Sequence, residues 1–133
     1  MILRFTVPGH PIGKARPRHT KGGHTYTPKK TRDYEKAVAF AAKGAMAFST
    51  VAGDGDPSRH YTLVWPMDAT YRVSIHAYCK NGVRSDCDNI LKAALDGMQG
   101  VVYDNDKSVT RAEVTVATDR ENPRLEVEVE VMT

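Results

Sequence analysis

Hydrophobic and polar positions alternate most clearly near the end of the chain, where Leu125, Val127, Val129 and Val131 interleave with Glu126, Glu128 and Glu130. A period of two puts the aliphatic side chains on one face of a strand and the glutamates on the other. The same period runs through residues 69–80. Tyr71, Val73, Ile75, Ala77 and Cys79 share one face, and Arg72, Ser74, His76 and Tyr78 the other, which predicts a half-buried strand. Residues 2–7 form a short apolar run stopped by Pro8, and residues 109–118 alternate loosely; both are expected strands. Elsewhere the period lengthens. Over residues 31–49, Tyr34, Ala37, Val38, Ala41, Ala45 and Phe48 recur at steps of three and four, the signature of an amphipathic helix. Over residues 88–99, Ile90, Leu91, Ala94, Leu95 and Met98 make one stripe, and Gly100 stands where a helix C-terminal glycine belongs.

Residues 9–28 are rich in Gly, Pro, Lys and Arg without a period, so they are expected as loop. Residues 50–68 contain Gly53-Asp54-Gly55-Asp56-Pro57 and Trp65-Pro66. They predict a connection long enough to carry function or to be disordered. The order is β-α-β-α-β-β. It predicts an α+β fold, an α/β-like sandwich with a mixed four-stranded sheet and two helices packed on it. The last two strands are expected to pair antiparallel, because only a few residues around Asn122-Pro123 join them. No repeat or boundary divides residues 1–133, which read as one domain.

With 41% hydrophobic, 26% charged and 8% aromatic residues, the composition excludes a disordered tail or a collagen-like fibre. No apolar run approaches the roughly 20 residues of a membrane span. The opening residues are too short and interrupted for a signal peptide, so a cytoplasmic protein is expected. Two cysteines, Cys79 and Cys87, flank a polar turn and are expected as reduced thiols rather than a disulfide or zinc site.

Charge changes the picture through its distribution. The net value is only +3, but residues 1–36 hold nine basic side chains against Asp33 and Glu35, or +7. Residues 113–130 hold six acids against Arg120 and Arg124. A basic segment suits a polyanionic partner, and it equally suits a solvated loop; charge alone leaves these even.

Candidate chemistry gathers in residues 84–97. Asp86 and Asp88 stand where a strand gives way to a helix, and Asp88, Lys92 and Asp96 follow at four-residue steps on one helical face. Asp104-Asn105-Asp106 follows the helix. Hard divalent cations take carboxylate oxygens, and Mg²⁺ is held by one or two of them plus phosphate oxygens. A lysine one turn away can neutralise charge growing on a phosphate in its transition state. Simpler readings compete: helix capping by Asp86 or Asp88, and a Lys92–Asp96 surface ion pair. An EF-hand is excluded, since the required glycine and glutamate positions hold Leu91 and Gly97, or Val109 and Thr115. There is no P-loop, G-x-G-x-x-G, G-x-S-x-G or H-E-x-x-H.

The run Asp86-x-Asp88-Asn89-x-x-Lys92-x-x-x-Asp96, followed by Gly100-Val101 and Asp104-Asn105-Asp106-x-x-Val109, resembles the RusA family of Holliday-junction resolvases. Lys14-x-Arg16-Pro17-Arg18, Tyr26-Thr27-Pro28-Lys29-Lys30-Thr31 and Tyr34-Glu35 are similar to its phage-borne branch. The resemblance covers most of the chain except residues 50–68. It implies a homodimeric, Mg²⁺-dependent endonuclease, with Mn²⁺ as a substitute, acting on four-way junction DNA in recombination and repair in a bacterial cytoplasm. Such enzymes make paired symmetric nicks with 5′-phosphate and 3′-hydroxyl ends. Carried over, Asp86, Asp88 and Asp106 are metal-binding and catalytic, and Lys92 is catalytic. Asp96 matches a recurrent acid explained by ion pairing with Lys92 or by helix structure. Many members have two adjacent acids where this chain has Asn105-Asp106, so Asp106 ranks above Asp104 as a ligand. Lys14, Arg16, Arg18, Lys29 and Lys30 are expected on the DNA backbone, Tyr26 is a candidate wedge, and the acidic last strand is expected to face solvent. No membrane and no small-molecule substrate are expected. The alternatives are a non-catalytic branched-DNA-binding protein, or a Mg²⁺ nuclease for another branched substrate or RNA.

Overall fold

The computed structural model describes residues 1–15, 18–47, 50–52, 60–62, 64–81 and 86–132. Arg16, and the Arg84-Ser85 approach to the acidic motif, lie outside them. In chain order the elements are β1 (Ile2–Pro8), β2 (Arg18–His19), β3 (Thr25–Tyr26), α1 (Lys29–Ala47), β4 (Thr50–Ala52), β5 (His60–Thr62), β6 (Tyr71–Cys79), α2 (Cys87–Met98), a 3-10 turn (Asp106–Ser108), β7 (Val109–Thr118) and β8 (Arg124–Val131).

The alternation along each strand decides which face is buried. Leu3, Phe5 and Val7 of β1, alternate residues Tyr71 to Cys79 of β6, and Leu125, Val127 and Val129 of β8 all point into the core. The helices cover that face and pack against each other. α1 contributes Thr31, Tyr34, Val38 and Ala42, and α2 contributes Ile90, Ala93, Ala94, Gly97 and Met98. The buried face of α1 is therefore turned relative to the expected stripe: Ala37 is exposed, and Thr31 and Ala42 are buried. The two helices approach closely at Gly97, where an added Cβ would lie 2.7 Å from Cβ of Val38 and 3.0 Å from the carbonyl oxygen of Glu35.

The main sheet has the order β1-β8-β6-β7, so the expected mixed four-stranded sheet with two helices is the fold. One expectation is corrected. β7 and β8 do not pair with each other: β6 lies between them, parallel to β7 and antiparallel to β8. The parallel pair is joined through α2, the crossover that parallel strands require. The short link after β7 passes over the end of β6, where the Asp119 amide donates to the Cys79 carbonyl at 2.8 Å. Five extended residues reach roughly 16 Å, more than the roughly 10 Å between strands two places apart.

The two predicted connections also carry local order. β2 and β3 form a hairpin inside residues 9–28, closed by Thr20 N to His24 O at 2.8 Å, with Gly23 in the left-handed region at φ 81°. β4 and β5 pair inside residues 50–68. Both ribbons are two or three residues long per strand, below the length at which alternation can be read.

Candidate active site

α2 starts directly after the link from β6. Asp86 is its N-cap with φ −62° and ψ 146°, yet its side chain makes no capping hydrogen bond. Asp88 stands in the first turn, and both carboxylates are exposed. The positive end of the helix favours negative charge at these positions. The burial of Ile90, Ala94 and Met98 turns the opposite face, with Asp88, Lys92 and Asp96, away from the core.

The chain then leaves α2 through Gly100, whose φ of 83° lets it reverse and donate to the Tyr103 carbonyl at 2.7 Å. Tyr103 is fully buried, and its hydroxyl donates to the Leu95 carbonyl at 2.7 Å. Its ring lies 5.8 Å from that of Tyr71, which stacks on Trp65 at 5.9 Å; the Trp65 indole in turn donates to the Val102 carbonyl at 2.9 Å. This fastened turn carries Asp106 back alongside α2. Asn105 is explained here: its Oδ1 accepts from the Lys107 amide at 2.9 Å, capping the 3-10 turn that begins at Asp106.

An alternating chain of charges results. Lys92 Nζ lies 3.1 Å from Asp96 Oδ1 and 3.3 Å from Asp106 Oδ2. The other oxygen of Asp96, Oδ2, lies 3.1 Å from Lys14 Nζ, which also contacts Glu35 Oε1 at 2.6 Å. The series runs Glu35, Lys14, Asp96, Lys92, Asp106 across both helices and two loops. Hydrogen bonding to Asp96 raises the Lys92 pKa above its usual value against partial burial. At Lys14 burial works against the charge, but Glu35 and Asp96 outweigh it and the pKa is again raised. Both lysines are ammonium ions at neutral pH.

The structure thus brings Lys92, Asp96 and Asp106 together, including the ion pair expected for Asp96. It does not bring Asp86, Asp88 and Asp106 into one ligand set: among the described residues, no three His, Cys, Asp or Glu side chains converge closely enough to hold an ion. Like-charged carboxylates repel, and here a lysine accompanies Asp106. The donor chemistry nevertheless suits a hard cation, since one or two carboxylates plus phosphate oxygens suffice for Mg²⁺ and the Asp86 carboxylate is not used in capping.

Among the basic candidates, Lys14 is held between two acids. Lys29 is 83% exposed and 3.8 Å from Asp33, and Lys30 is exposed. Arg18 starts β2 of the hairpin, on which Tyr26 is 46% exposed. No spacing rule connects positions 14, 35 and 96, so the sequence alone does not reveal the part Glu35 plays. The glutamates of β8 face away from the helices as expected, and they meet arginines there. Arg72 lies within 3.1 Å of Glu113, Glu128 and Glu130.

The family described as endodeoxyribonuclease RusA matches residues 8–130 of this chain. No curated protein matches it. The match spans nearly the whole fold and all of the acidic and basic positions above, so the chain belongs to the RusA endodeoxyribonuclease family. No helix among the described residues is long and apolar enough to cross a membrane.

Proposed function

We propose that this RusA-family endonuclease resolves four-way DNA junctions as a homodimer, in recombination and repair, by paired nicks leaving 5′-phosphate and 3′-hydroxyl ends. The observation that carries the reading is Lys92. Its ammonium is poised between Asp96 and Asp106, one helical turn from exposed Asp88, on a domain whose N-terminal quarter is strongly basic. Asp86, Asp88 and Asp106 are the carboxylates from which Mg²⁺ would take one or two, together with phosphate oxygens. The chemistry such an ion supplies when bound is Lewis acidity toward phosphate oxygens.

The chain's own residues have separable tasks. Lys92 carries a positive charge that can be shared with the scissile phosphate as negative charge grows there. Arg16, Arg18, Lys29 and Lys30 hold backbone phosphates and so offset the repulsion of DNA by the acidic cluster. A junction with two-fold symmetry matches a C2 dimer, which offers equivalent sites to equivalent strands.

The test is cleavage of a labelled synthetic four-way junction beside matched duplex, flap and branched RNA substrates, with Mg²⁺ or EDTA. Paired, ligatable nicks confined to the junction and lost with EDTA support the reading. Cutting of flaps or RNA in preference to junctions overturns the substrate assignment. Tight junction binding with no metal-dependent cutting on any substrate overturns catalysis.

A further inference from the structure

Lys14 belongs to the basic segment, yet its surroundings are not those of a DNA-contacting lysine. Its Nζ is 2.6 Å from Glu35 Oε1 and 3.1 Å from Asp96 Oδ2, and only 21% of its side chain is exposed. Its backbone is fastened as well. The Lys14 amide donates to the Asn89 carbonyl in the first turn of α2 at 2.9 Å, and the next amide, of Ala15, donates to Oγ1 of buried Thr31 on α1 at 3.3 Å. Four attachments to the two helices, three of its own and one through Ala15, fix this residue where the chain otherwise runs as loop. Lys92 also has two carboxylate partners but is 53% exposed; at 21% exposure, with its amide tied to α2, Lys14 presents far less of its ammonium to a phosphate.

Asp96 makes the consequence local. Its two oxygens serve different lysines, Oδ2 taking Lys14 and Oδ1 taking Lys92. With Lys14 in place, the Asp96 carboxylate is held on both sides and presents Oδ1 toward Lys92. Without it, Asp96 is free to rotate about its last side-chain bond, and a terminal carboxylate has a broad torsional well. Lys92 would then lose the fixed partner that sets its head group beside Asp106.

We infer that Lys14 is a positioning residue of this nuclease, acting through Asp96 to orient Lys92, and not a ligand of the DNA backbone. The inference rests on the proposed role of Lys92 in cutting. Loss of such a supporting partner lowers activity by about 10–100-fold in comparable arrangements.

The experiment uses the full chain with Lys14→Met and Lys14→Arg. The Lys14→Met variant is expected to bind the junction in EDTA with wild-type affinity and an unchanged salt slope. Its single-turnover cutting should fall about 10–100-fold, and Lys14→Arg should recover most of the loss. In DNA-free protein, the NMR correlation of the Lys92 Cε–Nζ group should move in Lys14→Met and return in Lys14→Arg. A salt slope reduced by about one, with binding and cutting weakened together, makes Lys14 a phosphate ligand and overturns the inference. An unmoved Lys92 signal overturns it whatever happens to cutting, and so does a moved signal with an unchanged cutting rate. If Lys14→Met does not fold, Lys14→Gln takes its place, with the same expected movement of Lys92. A wild-type protein that leaves junctions intact overturns the substrate reading alone. The Lys92 signal, read without DNA, then still decides the relay.

Discussion

Two charged regions of this molecule are built on different terms. On the open face of the sheet, each of Glu113, Asp119, Glu126, Glu128 and Glu130 has an arginine partner. Arg72 donates to Glu130 at 2.7 Å, Glu128 at 3.0 Å, Glu113 at 3.1 Å and Ser74 at 2.6 Å. Arg4 takes the other oxygen of Glu128, and Arg124 takes Glu126 and Asp119, each near 3 Å. Along α2 the cations are lysines. Glu35, Asp96 and Asp106 share Lys14 and Lys92, while Asp86 makes no capping bond. Arginine forks on rigid strands satisfy carboxylates in fixed geometry, whereas a lysine is a point charge on a flexible stem that can change partner. The sheet face completes itself. The α2 cluster instead places exposed carboxylates, Asp86 and Asp88, near a lysine, Lys92, whose side chain is 53% exposed and open to an incoming phosphate.

The comparison predicts the largest contrast between Asp88→Asn and Glu128→Gln. The first removes an exposed charge from the cluster and should lower junction cutting at least about a hundredfold while keeping or tightening binding. The second should leave cutting unchanged. Single-turnover rates and gel-shift affinities check both, and equal losses would erase the distinction between the regions.

Packing beneath the cluster comes next. An alanine Cβ at Gly97 meets Val38 at 2.7 Å and the Glu35 carbonyl oxygen at 3.0 Å. Gly97→Ala should therefore push α1 from α2 and cost about 1–3 kcal/mol, read by chemical denaturation. It should also lower cutting, because Glu35 and Asp96 sit on the two helices being separated.

A smaller effect is expected at the turn that returns Asp106. Tyr103→Phe removes the 2.7 Å bond to the Leu95 carbonyl. That carbonyl keeps its bond from the Gln99 amide at 3.1 Å, so a loss of about 1 kcal/mol is expected in denaturant melts.

The smallest concerns pH on the sheet face. Hydrogen bonds from Arg4 to Glu128 and from Ser74 to Glu113 hold both carboxyls below the ordinary glutamate value of 4.5. A carboxyl with a depressed folded-state pKa contributes stability above its unfolded value and loses it as pH falls through its folded value. Thermal midpoints should therefore be flat near neutrality and fall below pH 4.5. Arg72→Met should make that acid limb shallower; an unchanged limb would show that the arginines contribute nothing there.

Much of the fold was legible because strand and helix periods are local properties. β7 has the predicted bounds, 109–118, and β8 starts one residue earlier than the alternation suggests. In α2 Ile90, Ala94 and Met98 of the expected stripe are buried, but Ala93 and Gly97 are buried where Leu91 and Leu95 are only half-buried; α1 is turned likewise, since Ala37 carries too little surface to compel burial. Asp86, Asp88, Lys92 and Asp106 were recognisable as one motif because they fall within one short stretch, residues 86–106. By sequence pattern Asn105 stands where an acid is expected, whereas in the fold it caps the turn beneath Asp106.

By itself, then, the sequence determined the element types, the buried faces, the charge asymmetry and the family, all carried by neighbouring residues. Only the tertiary structure decided that β8 inserts between β1 and β6, and that Lys14, Glu35 and Asp96 meet. Both outcomes depend on contacts between residues far apart in the chain. No local period encodes such contacts; close packing and the pairing of charge select them once the helices lie on the sheet.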